Sequence, residues 1–445
     1  MPGSVNQRRL RIVHVRSVRL LILAALASAC TAHAPGRPAA AFDAAGEAYV
    51  RLVLALGERD ADSLDSYQGP AAWQNEARAR HATLAEIQAD AHTLVSSLTG
   101  LATPGPELDA RRQFLLRQLR AVAARVDLLR GARPAFADEA KALFGLDVAP
   151  GAGDDDAAAA IRAAIDEILP GRGGLAPRYA AFDRRFLVAP DRLPAVLARA
   201  IEECRAVTAA HVKLPAGERV DVEYVRDLPW SAFTRYEGGF RSRIQVNASL
   251  ALTVDRALDL ACHEAYPGHH LIAALLHDRV GASRVEWLVQ PLFSPQSLLH
   301  EAASSLAPAL AFSDAARVAF ERDVLFPLAG LDPAGADRHV RVARLVDRLH
   351  GVEGAIARRY LDGELDFPRA SRALEAEALM PSADATMKFL NQYRSYAAAY
   401  TFGRAALERS LERRAAGGDA AGRWRAYLDA IADPAQILPS EPPRK

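Results

Sequence analysis

His263-Glu264-Ala265-Tyr266-Pro267-Gly268-His269-His270 gathers three imidazoles and a carboxylate around a Pro-Gly pair. A hydrolytic metal site needs three protein ligands drawn from His, Glu, Asp or Cys, and one open position for water. It also needs a carboxylate close by to take the proton of that water. His263 followed directly by Glu264 offers one ligand and the base. In the common helical form the second His lies four residues on, about 6 Å along the axis and on the same face. Pro267 occupies that position here. On an unbroken helix His269 lies about 9 Å along and is turned through about 600°, whereas His270 points back correctly from about 10.5 Å away. Zn–N bonds of about 2.0–2.1 Å keep both from sharing a metal with His263 on a straight helix. Pro267 deletes the donor that would bond the His263 carbonyl, and Gly268 opens conformations closed to other residues. The spacing therefore predicts a break at this pair that swings His269 or His270 back to His263. Asp259, one turn before His263, is placed to orient its ring.

The third ligand has to arrive from another helix. Downstream, Ser297-Leu298-Leu299-His300-Glu301-Ala302-Ala303 sets Glu301 in an Ala- and Leu-rich stretch, where an unpaired buried carboxylate is costly and a metal removes the cost. Glu301 is the best candidate, with His300 and Glu286 as competitors.

Ahead of the motif the rhythm is that of strands. Val220 to Val225 and Ser242 to Asn247 alternate apolar and polar residues, with Glu237-Gly238-Gly239-Phe240 as a turn between them. A small sheet is expected there, with Ser242–Asn247 placed to act as an edge strand that pairs with extended substrate. Most of the rest has helical spacing: 44–56, 73–98, 108–129, 157–168, 179–186 and 191–208, the last with Asp191 as N-cap. From Ala257 to Ile431 the pattern is helical, with breaks at Pro291, Pro308, Pro327 to Pro333, Gly363 to Pro368 and Gly417-Gly418. The fold class expected is mainly α with a small β-sheet. Gly151 to Gly153 mark a loop, and the Pro-rich tail from Pro434 is expected to lie against the surface.

The chain has 445 residues, enough for one large domain, and 55 basic residues against 54 acidic ones leave no footprint for nucleic acid. Residues 41–445 are read as that domain, divisible into a helical lobe (41–215) and a lobe carrying the sheet and the metal-binding helices (216–445). At the N-terminus, five arginines between Arg8 and Arg19 precede Leu20 to Ala27 and then Ser28-Ala29-Cys30. This is the pattern of a secretory signal over 1–29. Cys30 after Ala27-Ser28-Ala29 resembles a lipobox, so the expected location is the cell envelope of a bacterium, with a lipidated Cys30 touching the membrane and 30–40 as a tether. Plain secretion, with cleavage after Ala29 or Ala34, and an uncleaved anchor are the alternatives. Cys204 and Cys262 sit in apolar helical patterns and read as buried free thiols.

The stretch Ala261 to Leu271 resembles the signature of the bacterial proteins grouped as domain of unknown function 885, regarded as zinc metallopeptidases related to the zincins. The likeness extends to Phe136–Gly145, Arg178–Phe182, Tyr236–Asn247 and Arg394–Gly403. It implies a zincin-like helical metallohydrolase with a cleft, one zinc ion held by His263, His269 and Glu301, and Glu264 as general base. Members often carry Gly-Trp and Tyr after the glutamate, where this chain has Ala302-Ala303 and Leu306. Many carry Gln where this chain has Ile272.

The reaction expected is hydrolysis of a peptide or related amide, carboxypeptidase- or oligopeptidase-like. Tyr400 and His270 are candidate donors to the oxyanion, with Tyr396 behind them. Arg241, Arg394 or Arg404 is a candidate clamp for a substrate carboxylate. Alternatives are a zinc amidase acting on non-peptide substrates and a non-catalytic metal-binding envelope lipoprotein.

Overall fold

A computed structural model describes residues 37–149, 156–228, 230–280, 284–381, 383–415 and 418–432. The signal segment, Cys30, the loop at Gly151 to Gly153 and the tail from Pro434 lie outside the described residues. From Arg37 onward the chain forms one compact unit. The tether expected over 30–40 gives way to a helix, Arg37–Gly57. A proline in the first turn is tolerated because its missing N–H has no intrahelical partner there, and the alanines that follow are strong helix formers.

The described residues are mainly helical, with five short strands among them: β1 (Leu64–Tyr67), β2 (Arg219–Val225), β3 (Ala232–Gly238), β4 (Arg241–Asn247) and β5 (Val289–Pro291). β1 and β5 form an antiparallel pair, and the others form a sheet in the order β2-β4-β3. β4 runs parallel to β2 and antiparallel to β3. Ser242–Asn247 is therefore the central strand, which corrects its placement as an edge. Ser242, Ile244 and Val246 alternate inward and are buried, so this strand belongs beneath the helices, and β2 and β3 hold the outer positions.

Among the described residues, three hydrophobic clusters support this frame. Phe42, Tyr49, Val53, Ile87, Leu115 and Leu119 hold the N-terminal helices together. A larger core runs from Ala158 to Ile431 and includes the motif helix. The helices from Asp156 to Ala209 join this larger core, so the hydrophobic interior does not divide at residue 215. A third cluster joins Phe136, Phe144, Phe293 and Tyr396.

Local signals explain several boundaries. The helical spacing over 73–98 is interrupted because Thr83 and Glu86 form a reciprocal capping box that starts a new helix, Leu84–Gly100. Pro308 does not end its helix, Pro295–Ala311, but sits in its last turn. The helix expected from Asp191 starts at Leu193, with Arg192 at the cap.

Helices Leu193–Ala209 and Val254–Glu264 pack against each other, and Cys204 and Cys262 meet there in a disulfide with Cα atoms 5.6 Å apart. This corrects the free-thiol reading. The apolar faces that made both cysteines look like core residues are the faces that bring them together.

Candidate metal centre

The motif helix Val254–Glu264 stops immediately after Glu264, and a second helix, His269–Val280, begins five residues on. Between them the Tyr266–Pro267 peptide is cis. The Gly268 N–H reaches back to the Cys262 carbonyl at 3.0 Å. A side chain at Gly268 has no room: a β-carbon would lie 1.8 Å from the His263 carbonyl oxygen. Tyr427 donates to the Pro267 carbonyl at 2.8 Å and Tyr266 to the Glu218 carboxylate, so the turn is tied on both sides.

The break brings His263 Nε2 and His269 Nε2 to 3.2 Å from each other. Glu301 reaches them from Pro295–Ala311, with Oε2 3.5 Å from His263 and Oε1 3.4 Å from His269. Ser294 caps this helix by accepting from the Ser297 N–H at 3.1 Å, and Pro295 fills its first turn. Tetrahedral ligands about 2.0–2.1 Å from a zinc ion stand about 3.3–3.4 Å from one another, so the observed spacing fits such an ion. The donor set of two imidazoles and one carboxylate fits as well. Glu301 Oε2 is buried without a hydrogen-bond partner, an atom that a cation would satisfy. Burial would raise the Glu301 carboxyl, but the neighbouring His269 and His263 hold it well below the usual range. The centre thus favours positive charge between its three members. Among the described residues these three form the group able to hold a metal.

Glu264 is buried, and its Oε2 accepts from Thr234 Oγ1 at 2.7 Å. Thr234 lies on β3, so the sheet positions the carboxylate beside the centre. The sequence reading missed this residue. Its signal was the β-branched and aromatic run Phe233-Thr234-Arg235-Tyr236 ahead of Gly238-Gly239, a strand entering a tight turn. Tyr396 donates to Glu301 Oε1 at 2.8 Å and lies 3.2 Å from Ser297 Oγ. The Tyr400 ring stacks 6.3 Å from His263, on a π-helical turn, Ala399–Gly403. Burial first, and Glu301 second, raise its phenol well above the usual range, so it stays a proton donor.

His270 points away from this centre. Its Nδ1 lies 2.8 Å from Ser242 Oγ and its Nε2 3.1 Å from Glu218 Oε2. Both ring nitrogens are engaged and the side chain is fully buried, which leaves none for an oxyanion. The Ser242–His270–Glu218 order mimics a nucleophilic triad, but Ser242 is sealed from solvent too.

The other candidates are also placed. Asp259 accepts from Arg317 at 2.6 Å, so its carboxylate serves that guanidinium and not the His263 ring. Glu286 is bound by both arms of Arg111 at 2.8 Å, remote from any ligand role. Arg404 holds Asp347 through two bonds of 2.7 and 2.6 Å, and Arg394 holds Glu139 at 2.8 Å. Arg241 is exposed and 3.7 Å from Asp221. Arg394 and Arg404 are thus committed elsewhere, and the expected carboxylate clamp is not assembled.

Beside the centre is a recess of about 10 Å³ lined by Asp65, Ser66, Thr234, His269, Gln290 and His300. His300 is buried, with Nε2 unpartnered. Asp65, on β1, was also missed by the sequence reading.

No family model matches the chain, and no curated protein matches it. The resemblance to domain of unknown function 885 thus stands on the quoted motifs. Among solved structures the chain is similar to a candidate lipoprotein from Colwellia psychrerythraea, at 18% identity and a TM-score of 0.49, covering 80% of this chain and 68% of that one. It is similar to an M32 carboxypeptidase from Deinococcus radiodurans R1 at 17% identity and a TM-score of 0.46, covering 90% and 92%. It is also similar to a carboxypeptidase from Pyrococcus furiosus at 14% identity and a TM-score of 0.38, covering 89% and 90%.

Proposed function

We propose that this chain is a zincin-like, zinc-dependent hydrolase of peptide bonds that works in the bacterial cell envelope. The observation that carries this reading is the convergence of His263, His269 and Glu301 on one point with Glu264 next in sequence to the first ligand. These three would hold a zinc ion, which would supply an acidified water and a Lewis acid for the scissile carbonyl. Glu264 takes the proton of the attacking water and returns it to the leaving amine nitrogen as the C–N bond breaks. Thr234 holds the Glu264 carboxylate in the orientation these transfers need. Tyr400, with its ring against His263, donates to the oxyanion. Tyr396 fixes Glu301. Extended substrate lies along the outer edge of β3, the strand that carries Thr234.

The envelope location is supported by the leader pattern at 1–29 and by the Cys204–Cys262 disulfide, which belongs to an oxidising compartment. A lipid on Cys30 anchors the protein to the membrane surface. A Cys30→Ala variant then loses the lipid mass and leaves the membrane fraction, and unchanged retention contradicts the anchor.

The test of the reaction is metal content beside cleavage of a broad peptide library. His263→Ala should lose zinc, while Glu264→Gln keeps zinc and loses cleavage by at least about 100-fold. Cleavage by Glu264→Gln at the parent rate removes it as the base. A zinc-loaded parent that cleaves no peptide but does cleave other amides shifts the reading to a zinc amidase.

A further inference from the structure

We propose that the recess between Asp65 and His300 binds the free α-ammonium group of the substrate, so that the chain removes residues from peptide N-termini. This rests on the hydrolase reading above and adds to it the end of the peptide that is recognised.

β1 and β5 pair with a register shift between Leu64 and Ser66, so Asp65 is the extra residue of a bulge. A bulge leaves its residue out of the ladder and re-aims the side chain. Here that side chain lines the recess beside His269. Asp65 Oδ1 is sealed from solvent and has no hydrogen-bond partner. Across the recess, His300 is 2% exposed with Nε2 also unpartnered. Two orphaned buried atoms on one small hollow are costly unless something fills it. The occupant must donate hydrogen bonds to both atoms. Burial first pushes the Asp65 carboxyl up to about 7, with Glu301 and Glu264 adding to the rise and His269 and Arg235 opposing it. A cation seated beside it would favour its charged form. An ammonium group has three donors and one positive charge. The imidazole of His300 accepts one of those donors in the tautomer with its proton on Nδ1. No lysine or arginine lines the recess, so a carboxylate is not its partner. Arg235, which also acts on Asp65, is exposed on β3.

The size and place of the hollow fix the register. About 10 Å³ accommodates one water-sized group and no side chain. His269 both lines the recess and belongs to the metal centre, so the two share a wall. An α-amino nitrogen is two bonds, about 2.5 Å, from the carbonyl carbon of its own residue. An amine seated in the recess therefore presents the first peptide bond to the centre. Water adds across that bond, leaving one free amino acid and a peptide shortened by one residue.

The test compares matched tripeptide amides with free and acetylated N-termini on the zinc-loaded full chain. The parent should release the first residue, and acetylation should lower kcat/KM by at least about 30-fold. Asp65→Asn should bring the ratio of free to acetylated rates close to unity while zinc content stays at the parent level. Equal cleavage of both peptides by the parent overturns the proposal, as does a ratio unchanged in Asp65→Asn. The parent comparison stands even if that variant fails to fold. A chain that cleaves no peptide refutes the peptidase reading, and calorimetry then decides the amine site separately. L-Leucinamide binding at least about 10-fold tighter than N-acetyl-L-leucinamide, with the preference lost in Asp65→Asn, supports the site. Equal binding of the two overturns it.

Discussion

Gly268 packs its α-carbon against the carbonyl of His263, so that an added β-carbon would stand 1.8 Å from that oxygen. This contact is the hinge of the metal centre, because the same turn sets His269 beside His263. A Gly268→Ala substitution must push the second helix away. The expected outcome is a loss of about 1–3 kcal/mol in stability and weakened zinc retention on dialysis against a chelator. Parent-like zinc retention in a folded Gly268→Ala protein would show that the turn does not set the ligand geometry.

The Thr234 hydroxyl lies 2.7 Å from the Glu264 carboxylate and 3.0 Å from the Glu264 backbone carbonyl. Thr234→Val keeps the shape and strand propensity but removes the donor. Hydrogen bonds to charged groups are worth about 1.5–3 kcal/mol, so kcat should fall roughly 10- to 100-fold with zinc content unchanged. Thr234→Ser should recover most of the loss. A rate unaffected by Thr234→Val removes the positioning role.

The Cys204–Cys262 bond closes a loop across 58 residues and ends one position before His263. A loop of that length predicts a stabilisation of about 4 kcal/mol in the chain-entropy model. The Cys204→Ala, Cys262→Ala double variant should therefore unfold at lower denaturant concentration. Unchanged midpoints in parent and double variant would contradict a stabilising bridge.

Behind the motif helix, His339 lies 3.3 Å from Asp255 and 3.7 Å from Glu321, and stacks on Phe186 at 4.0 Å. Burial alone would lower the imidazole, but Asp255 and Glu321 outweigh it and raise it to about 9. A raised folded-state value gives stability that is complete below the usual 6.5 and is lost as pH climbs to about 9. The stability gap between the parent and His339→Gln should be widest near pH 6. It should narrow by about 3 kcal/mol by pH 9.5. Denaturant titrations at both pH values measure this, and a constant gap refutes the charged pair.

The motif itself was legible because its information is local. Pro267 and Gly268 announce a break, and the 263–269 spacing demands one if the two rings are to meet. Glu301 could be picked out because a carboxylate among Ala and Leu needs a reason to be buried. The residues that remained hidden depend on pairings between distant segments. Asp65 gains its position only when a four-residue strand meets β5, more than two hundred residues away. Cys204 and Cys262 looked like core thiols until two helix faces were packed together. His270 differs from His269 by one position, and only Ser242 and Glu218 show that it faces the sheet. Ser242–Asn247 had the alternation of a strand, but alternation does not say which strands flank it.

The central claim is that His263, His269 and Glu301 hold one zinc ion. Anomalous scattering at the zinc edge from crystals of the zinc-loaded protein tests it most directly. The account predicts one strong peak about 2.0–2.2 Å from His263 Nε2, from His269 Nε2 and from a Glu301 carboxylate oxygen. A peak elsewhere, or none between these residues at full zinc loading, would contradict it.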